Sequence, residues 1–164
     1  LFIMDYNRVV SDLNGLTPAE FIAKISDTFD VRMADCEGPA APGHKHEFGM
    51  YLAGKWYTIN AKPGTYDENH PIDSLDCAIL QANLLAPVLG IDDPRTSPRI
   101  DFVGGIRGLQ ELQNRTGEGV AFALYPVTMA DLFNVADNGE IMPPKSTWFE
   151  PKLRSGLFLH EIER

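Results

Sequence analysis

Apolar positions along the chain fall into short runs of two periods, and each run predicts an element. Leu1 to Val10 is rich in β-forming residues and reads as a strand. At Thr17-Pro18-Ala19-Glu20 a helix begins, with Thr as cap, Pro in the first helical position and Glu three residues after the cap. Phe21, Ile22, Ile25 and Phe29 then recur at helical spacing as one buried stripe. Val31 to Ala34 predicts a short strand, and residues 35–46, with Gly38, Pro39, Pro42 and Gly43, a loop. Glu47 to Ala53 and Lys55 to Ala61 flank Ala53-Gly54, the pattern of a tight β-hairpin.

Farther along, Asp73 or Ser74 caps Leu75 to Leu89, the most apolar helix of the chain, with Pro87 near its end and Gly90 as its stop. A segment apolar nearly all round belongs in a core. Arg99–Val103 then predicts a strand, Ile106–Asn114 a helix and Val120–Tyr125 an apolar strand. Thr128 caps a helix running to about Ala136, and Ser155–Ile162 predicts a closing strand. Alternation of strand and helix favours βαβ units, while the hairpin adds antiparallel pairing. The expected fold class is therefore α+β (or α/β): a mixed β-sheet with packed helices, spanning residues 1–164 as one domain. The apolar start Leu1-Phe2-Ile3-Met4 reads as the inside of a strand, so the chain is expected to be the C-terminal fragment of a longer protein.

Composition narrows the partners. A net charge of −9 repels a phosphate backbone, so nucleic acid is not an expected partner. The basic residues are mostly scattered, but Lys145, Lys152 and Arg154 cluster and could hold a small anion. The two cysteines, Cys36 and Cys77, lie in dissimilar contexts and read as small apolar residues with reduced thiols. No run approaches the roughly 18 apolar residues of a membrane span, and no signal-peptide pattern occurs. Location in the cytoplasm is the expectation.

Candidate chemistry is concentrated in two segments. In Ile141-Met142-Pro143-Pro144-Lys145-Ser146-Thr147-Trp148-Phe149-Glu150-Pro151-Lys152-Leu153, prolines stiffen a backbone that presents an ammonium and hydroxyls, groups suited to phosphate or carboxylate. The run is not a Walker loop, because Pro144 stands where that motif needs glycine. It also reads as a rigid connection with Trp148 and Phe149 as core anchors. In the second segment, Asp101-Phe102-Val103-Gly104-Gly105-Ile106-Arg107-Gly108, glycines between a strand and a helix admit a ligand, and Arg107 could add bidentate contacts. Its spacing is not the dinucleotide fingerprint, and strand-to-helix turns use glycine in any case.

Histidines complete the inventory. His44 and His46 share a Gly/Pro loop with no third metal ligand in view, so no metal site is assigned. His70, near Asp73 and Asp76, suits either proton transfer or a brace at the helix entry. His160, in the closing strand, reads as packing or solvated. No Gly-x-Ser-x-Gly signature occurs.

Several runs are familiar together. They are Met4-Asp5-Tyr6-Asn7-Arg8-Val9-Val10, Asp12-Leu13-Asn14-Gly15-Leu16, His70-Pro71-Ile72-Asp73-Ser74-Leu75-Asp76 and Leu85-Ala86-Pro87-Val88-Leu89-Gly90-Ile91. With them go Arg99-Ile100-Asp101-Phe102-Val103-Gly104-Gly105 and the segment from Met142 to Leu153. Together they resemble the C-terminal portion of the microbial family catalogued as domain of unknown function 1015 (DUF1015). Longer members carry an upstream Asp-Gly-His-His-Arg stretch similar to that of ParB-like nucleotide-dependent serine kinases. The resemblance implies phosphoryl transfer involving serine or phosphoserine, with ATP or ADP and Mg²⁺ as cofactors of the full-length protein. Lys145, Ser146, Thr147, Lys152 and Arg107 would then hold phosphate oxygens, with His70 and Asp101 behind them. The Asp-Gly-His-His-Arg stretch is absent from this chain, which leaves an alternative: a non-catalytic accessory or dimerisation domain, its partners the missing N-terminal part or a second copy.

Overall fold

A computed structural model describes residues 2–4, 6–35, 38–143 and 148–150. The expected first strand divides in two: β1 (Phe2–Met4) and β2 (Tyr6–Val10). Helix α1 (Pro18–Ile25) carries the predicted capping box, with Glu20 N donating to Thr17 Oγ1 at 3.2 Å and Thr17 N to Glu20 Oε1 at 3.0 Å. Phe29 is not on that helix. It opens β3 (Phe29–Met33) and enters the same core from the sheet. Strands β4 (Glu47–Leu52) and β5 (Lys55–Ala61) form the hairpin, with Ala53 and Gly54 at φ +51° and +78°. Both turn residues in the left-handed region match the twist of the strands they join.

The long apolar helix is α2 (Asp76–Leu80), which continues as a π-helical turn at Gln81–Leu85. Strand β6 (Ile100–Gly104) and a short 3₁₀ turn (Gly105–Arg107) follow. Helix α3 (Gln110–Thr116) starts later than the apolar pattern suggests, because Gly108 at φ +76° breaks the helical path. Then come β7 (Val120–Leu124), α4 (Met129–Asp137) with a Thr128/Asp131 capping box, and β8 (Trp148–Glu150). The predicted strand Ser155–Ile162 lies outside the described residues.

Six strands form one sheet in the order β3-β5-β4-β7-β2-β6, and β1 pairs with β8 in a second, two-stranded sheet. The α+β class expected from the sequence holds. Each of the described ladder pairs is antiparallel, however, so the sheet is not mixed. The βαβ alternation survives in split form. Strands β6 and β7 both run antiparallel to β2, hence parallel to each other, and α3 connects them across the intervening strand.

Alternation of side chains sends the two faces of the sheet into two cores. On one face, Val10, Phe48, Met50, Ile59, Phe122 and Leu124 meet Phe21 and Ile25 of α1, Ile79, Leu80 and Leu84 of the α2 segment, and Val135 of α4. On the other, Val9, Trp56, Val103, Ala121 and Ala123 meet Leu112 of α3 and Ala40. Around Gly49 the second face carries small residues, Ala121 and Ala123, because the Ala40 backbone lies directly on it there. A Cβ on Gly49 would sit 1.9 Å from the carbonyl oxygen of Ala40. The Gly49→Ala protein is therefore expected to lose about 3 kcal/mol, and its thermal midpoint to fall by roughly 10 °C, measurable by circular dichroism.

Candidate functional site

A cavity of about 450 Å³ opens beside α2. Cys77, Ala78, Gln81 and Ala82 line it, which are positions i, i+1, i+4 and i+5 of one continuous helical face. The two alanines leave the room, and the π turn widens the helix where Gln81 and Ala82 face it. Opposite stand Arg8 of β2, Arg95 from the loop before β6, and Pro143.

Arg8 sits on a central strand at a position whose neighbour two residues on, Val10, is core, and it is only 4% exposed. Its guanidinium donates to the Tyr6 carbonyl and lies 5.1 Å from the centre of the Phe102 ring. Burial pushes its pKa down from the usual arginine value, yet a guanidinium remains protonated. A lasting positive charge is thus fixed at an otherwise largely apolar cavity, where a low dielectric strengthens its pull on an anion. Arg95 is exposed, held by Asp93 through Nε to Oδ1 at 3.2 Å. Gln81 ties the helix to the following loop, Nε2 donating to the carbonyls of Ile91 at 2.7 Å and Asp92 at 3.3 Å. Burial pushes the Cys77 thiol up, while the charge of Arg8 pulls it the other way.

The residues singled out from sequence are dispersed. Lys145, Ser146, Thr147 and Lys152 lie outside the described residues, as do Cys36, Arg154 and His160; Pro143, at the cavity, closes the described stretch that precedes them. Arg107 is exposed on the 3₁₀ turn. Asp101 is exposed on β6, where its Oδ2 accepts from Arg115 Nη1 at 2.9 Å. His70 Nδ1 accepts from the backbone of Ile72 at 3.1 Å and of Asp73 at 3.0 Å, so this ring braces the turn that leads to α2. His44 and His46 turn to different carboxylates, Glu47 and Asp76. Among the described residues no group of three or more His, Cys, Asp or Glu side chains is placed to hold a metal.

Sequence reasoning missed Arg8, Arg95, Cys77 and Gln81 as companions. Arg8 alone left a trace: a charge at a core-facing place in the strand Tyr6-Asn7-Arg8-Val9-Val10. The other three meet it only through the fold.

Comparison with known families finds, over the first 78 residues, the same family that the sequence runs resemble. The family described as protein of unknown function (DUF1015) matches residues 1–78, which hold β1 to β5 and the start of α2 with Asp76 and Cys77. No curated protein matches, and no solved structure does. Within the described residues no helix is long and apolar enough to cross a membrane.

Burial of Cys77 generates a direct check. In mildly alkaline buffer, iodoacetamide is expected to alkylate Cys77 at least about tenfold more slowly in the native chain than in urea, read by peptide mass spectrometry.

Proposed function

We propose that the chain contributes the anion-binding part of a cytoplasmic, nucleotide-dependent phosphotransferase acting on serine or phosphoserine. One observation carries the reading: the buried Arg8 guanidinium at a largely apolar cavity of about 450 Å³. Arg95 adds a second cation, and the sequence after Pro143 carries Lys145, Ser146, Thr147 and Lys152, residue types suited to phosphate oxygens. Phosphoryl transfer asks of a protein chiefly positioning and charge neutralisation, which such groups provide. ATP or ADP with Mg²⁺ would be the phosphoryl partner, and a stretch outside this chain would complete the centre.

Thermal-shift titration with O-phosphoserine, serine, ATP, ADP and Mg²⁺ tests this. O-phosphoserine is expected to stabilise the chain, by about 2.7 kcal/mol at a hundredfold excess over its Kd. Arg95→Ala and Lys145→Ala are expected to weaken that response without altering the unliganded midpoint. No response to any of these compounds, in this chain or in a longer form of the protein, overturns the reading.

A second reading, an accessory or dimerisation domain, is favoured by α4. Met129 and Phe133 lie four residues apart on one helical stripe, 48% and 60% exposed, with Ile141 at 87% beyond the helix. Such exposed apolar side chains suit a second copy of the chain. Sedimentation is then expected to show a dimer that Phe133→Glu converts to monomer.

A further inference from the structure

Away from the cavity, the structure concentrates its constraints on one residue. His46 precedes β4 with φ +75°, in the left-handed region that residues other than glycine enter uncommonly, histidine more readily than most. Its backbone N–H donates to both oxygens of Asp76, at 2.9 and 3.1 Å, and its carbonyl accepts from Ala61 N at 3.0 Å. Its ring Nδ1 meets Asp76 Oδ1 at 2.9 Å. The Tyr66 ring covers one side, centroids 4.7 Å apart and planes tilted by 41°. Asp76 is buried, its side chain 7% exposed, at the first position of α2, whereas the His46 side chain is 26% exposed.

We propose that His46 and Asp76 form an acid–base dyad, in which His46 Nε2 accepts a proton from a water or hydroxyl group of a molecule bound over it. With Asp76 ionised, the carboxylate has no proton to donate; in the dyad Nδ1 then carries the hydrogen and Nε2 keeps its lone pair. Nε2 is also the one polar atom of His46 given no partner among the described residues, and the side chain's exposure makes it reachable. When it takes the proton, the O–H bond breaks, the oxygen retains the electron pair, and the imidazolium is stabilised by Asp76. A buried carboxylate serving only to tether the loop to α2 would need the His46 backbone N–H alone. Holding the ring as well, on a strained backbone, fixes the direction of Nε2. Burial pushes Asp76 upward, opposed by its bonds from His46 and by the charge of Lys45, which itself is held by Asp131 at 2.9 Å. The dyad rests on none of the cavity residues and stands or falls separately from the phosphotransferase reading.

Hydrolysis of p-nitrophenyl acetate measures the reactivity of Nε2 without knowledge of the natural substrate. Water gives one proton to Nε2, its hydroxide oxygen bonds to the acetyl carbon, and the ester C–O bond breaks to release p-nitrophenolate and acetic acid; the acid ionises to acetate and the imidazolium returns its proton to solvent. His46→Asn is the informative variant, because asparagine tolerates the left-handed region and can still donate to Asp76. Its rate is expected to fall about tenfold or more, with its thermal midpoint near that of the wild type, while His44→Asn keeps the wild-type rate. A folded His46→Asn protein that hydrolyses the ester as fast as wild type overturns the proposal. ¹⁵N NMR of the unsubstituted chain gives an answer independent of any variant: His46 is expected in the Nδ1–H form, and the Nε2–H form overturns the dyad. Asp76→Asn is expected to release the tautomer to a mixture while the other amide resonances hold, which identifies Asp76 as a positioning residue.

Discussion

Strand β2 is the member on which both layers close. It lies between β6 and β7, and its residues Asn7, Arg8, Val9 and Val10 are all buried, so the strand must satisfy a core on each side. Val10 faces α1 and the α2 segment, and Val9 faces α3. Where pairing with β7 ends, the Asn7 side chain takes over the ladder: its Oδ1 accepts from Leu124 N at 2.9 Å. Buried backbone groups are nearly always satisfied, and here a side chain does it. Arg8 then delivers a charge from the same strand into the cavity. A residue so placed cannot shift without disturbing both ladders.

The α2 segment performs the complementary task. Leu75, Ile79, Leu80 and Leu84 insert into the main core, while Cys77, Ala78, Gln81 and Ala82 face outward onto the cavity, and Asp76 reaches back to His46. One helix of this kind divides three environments by angle alone. Its apolar stripe anchors it, its small residues leave a void, and its first residue holds a histidine at the entry to β4. The two candidate sites thus share a support while using different residues of it, so loss of α2 packing would disable both and surface substitutions would separate them.

Antiparallel pairing explains why helical connections in this chain are long-ranged. Each helix that joins strands of the same direction must carry the chain past an intervening strand, as α3 does between β6 and β7. The close approach of the Ala40 backbone to Gly49 works with the small residues Ala121 and Ala123 on the same face, leaving no space there for larger side chains.

Local chemistry was legible where residues act on their immediate neighbours. The capping box at Thr17, the Thr128 cap, the Ala53-Gly54 turn and the apolar character of Leu75–Leu89 follow from propensity and hydrogen bonding over a few residues. So did the α+β class, which needs only the count and period of the elements. Phe29 shows the limit: helical spacing put it on α1, but the core accepts it equally from β3, and periodicity cannot tell those sources apart. Strand order, the antiparallel sense of the sheet, the meeting of Arg8 with Cys77 and Gln81, and the grip of Asp76 on His46 were settled by tertiary structure alone. Those contacts join residues 30 or more positions apart. Their energy depends on burial and direction in space, and sequence spacing encodes neither.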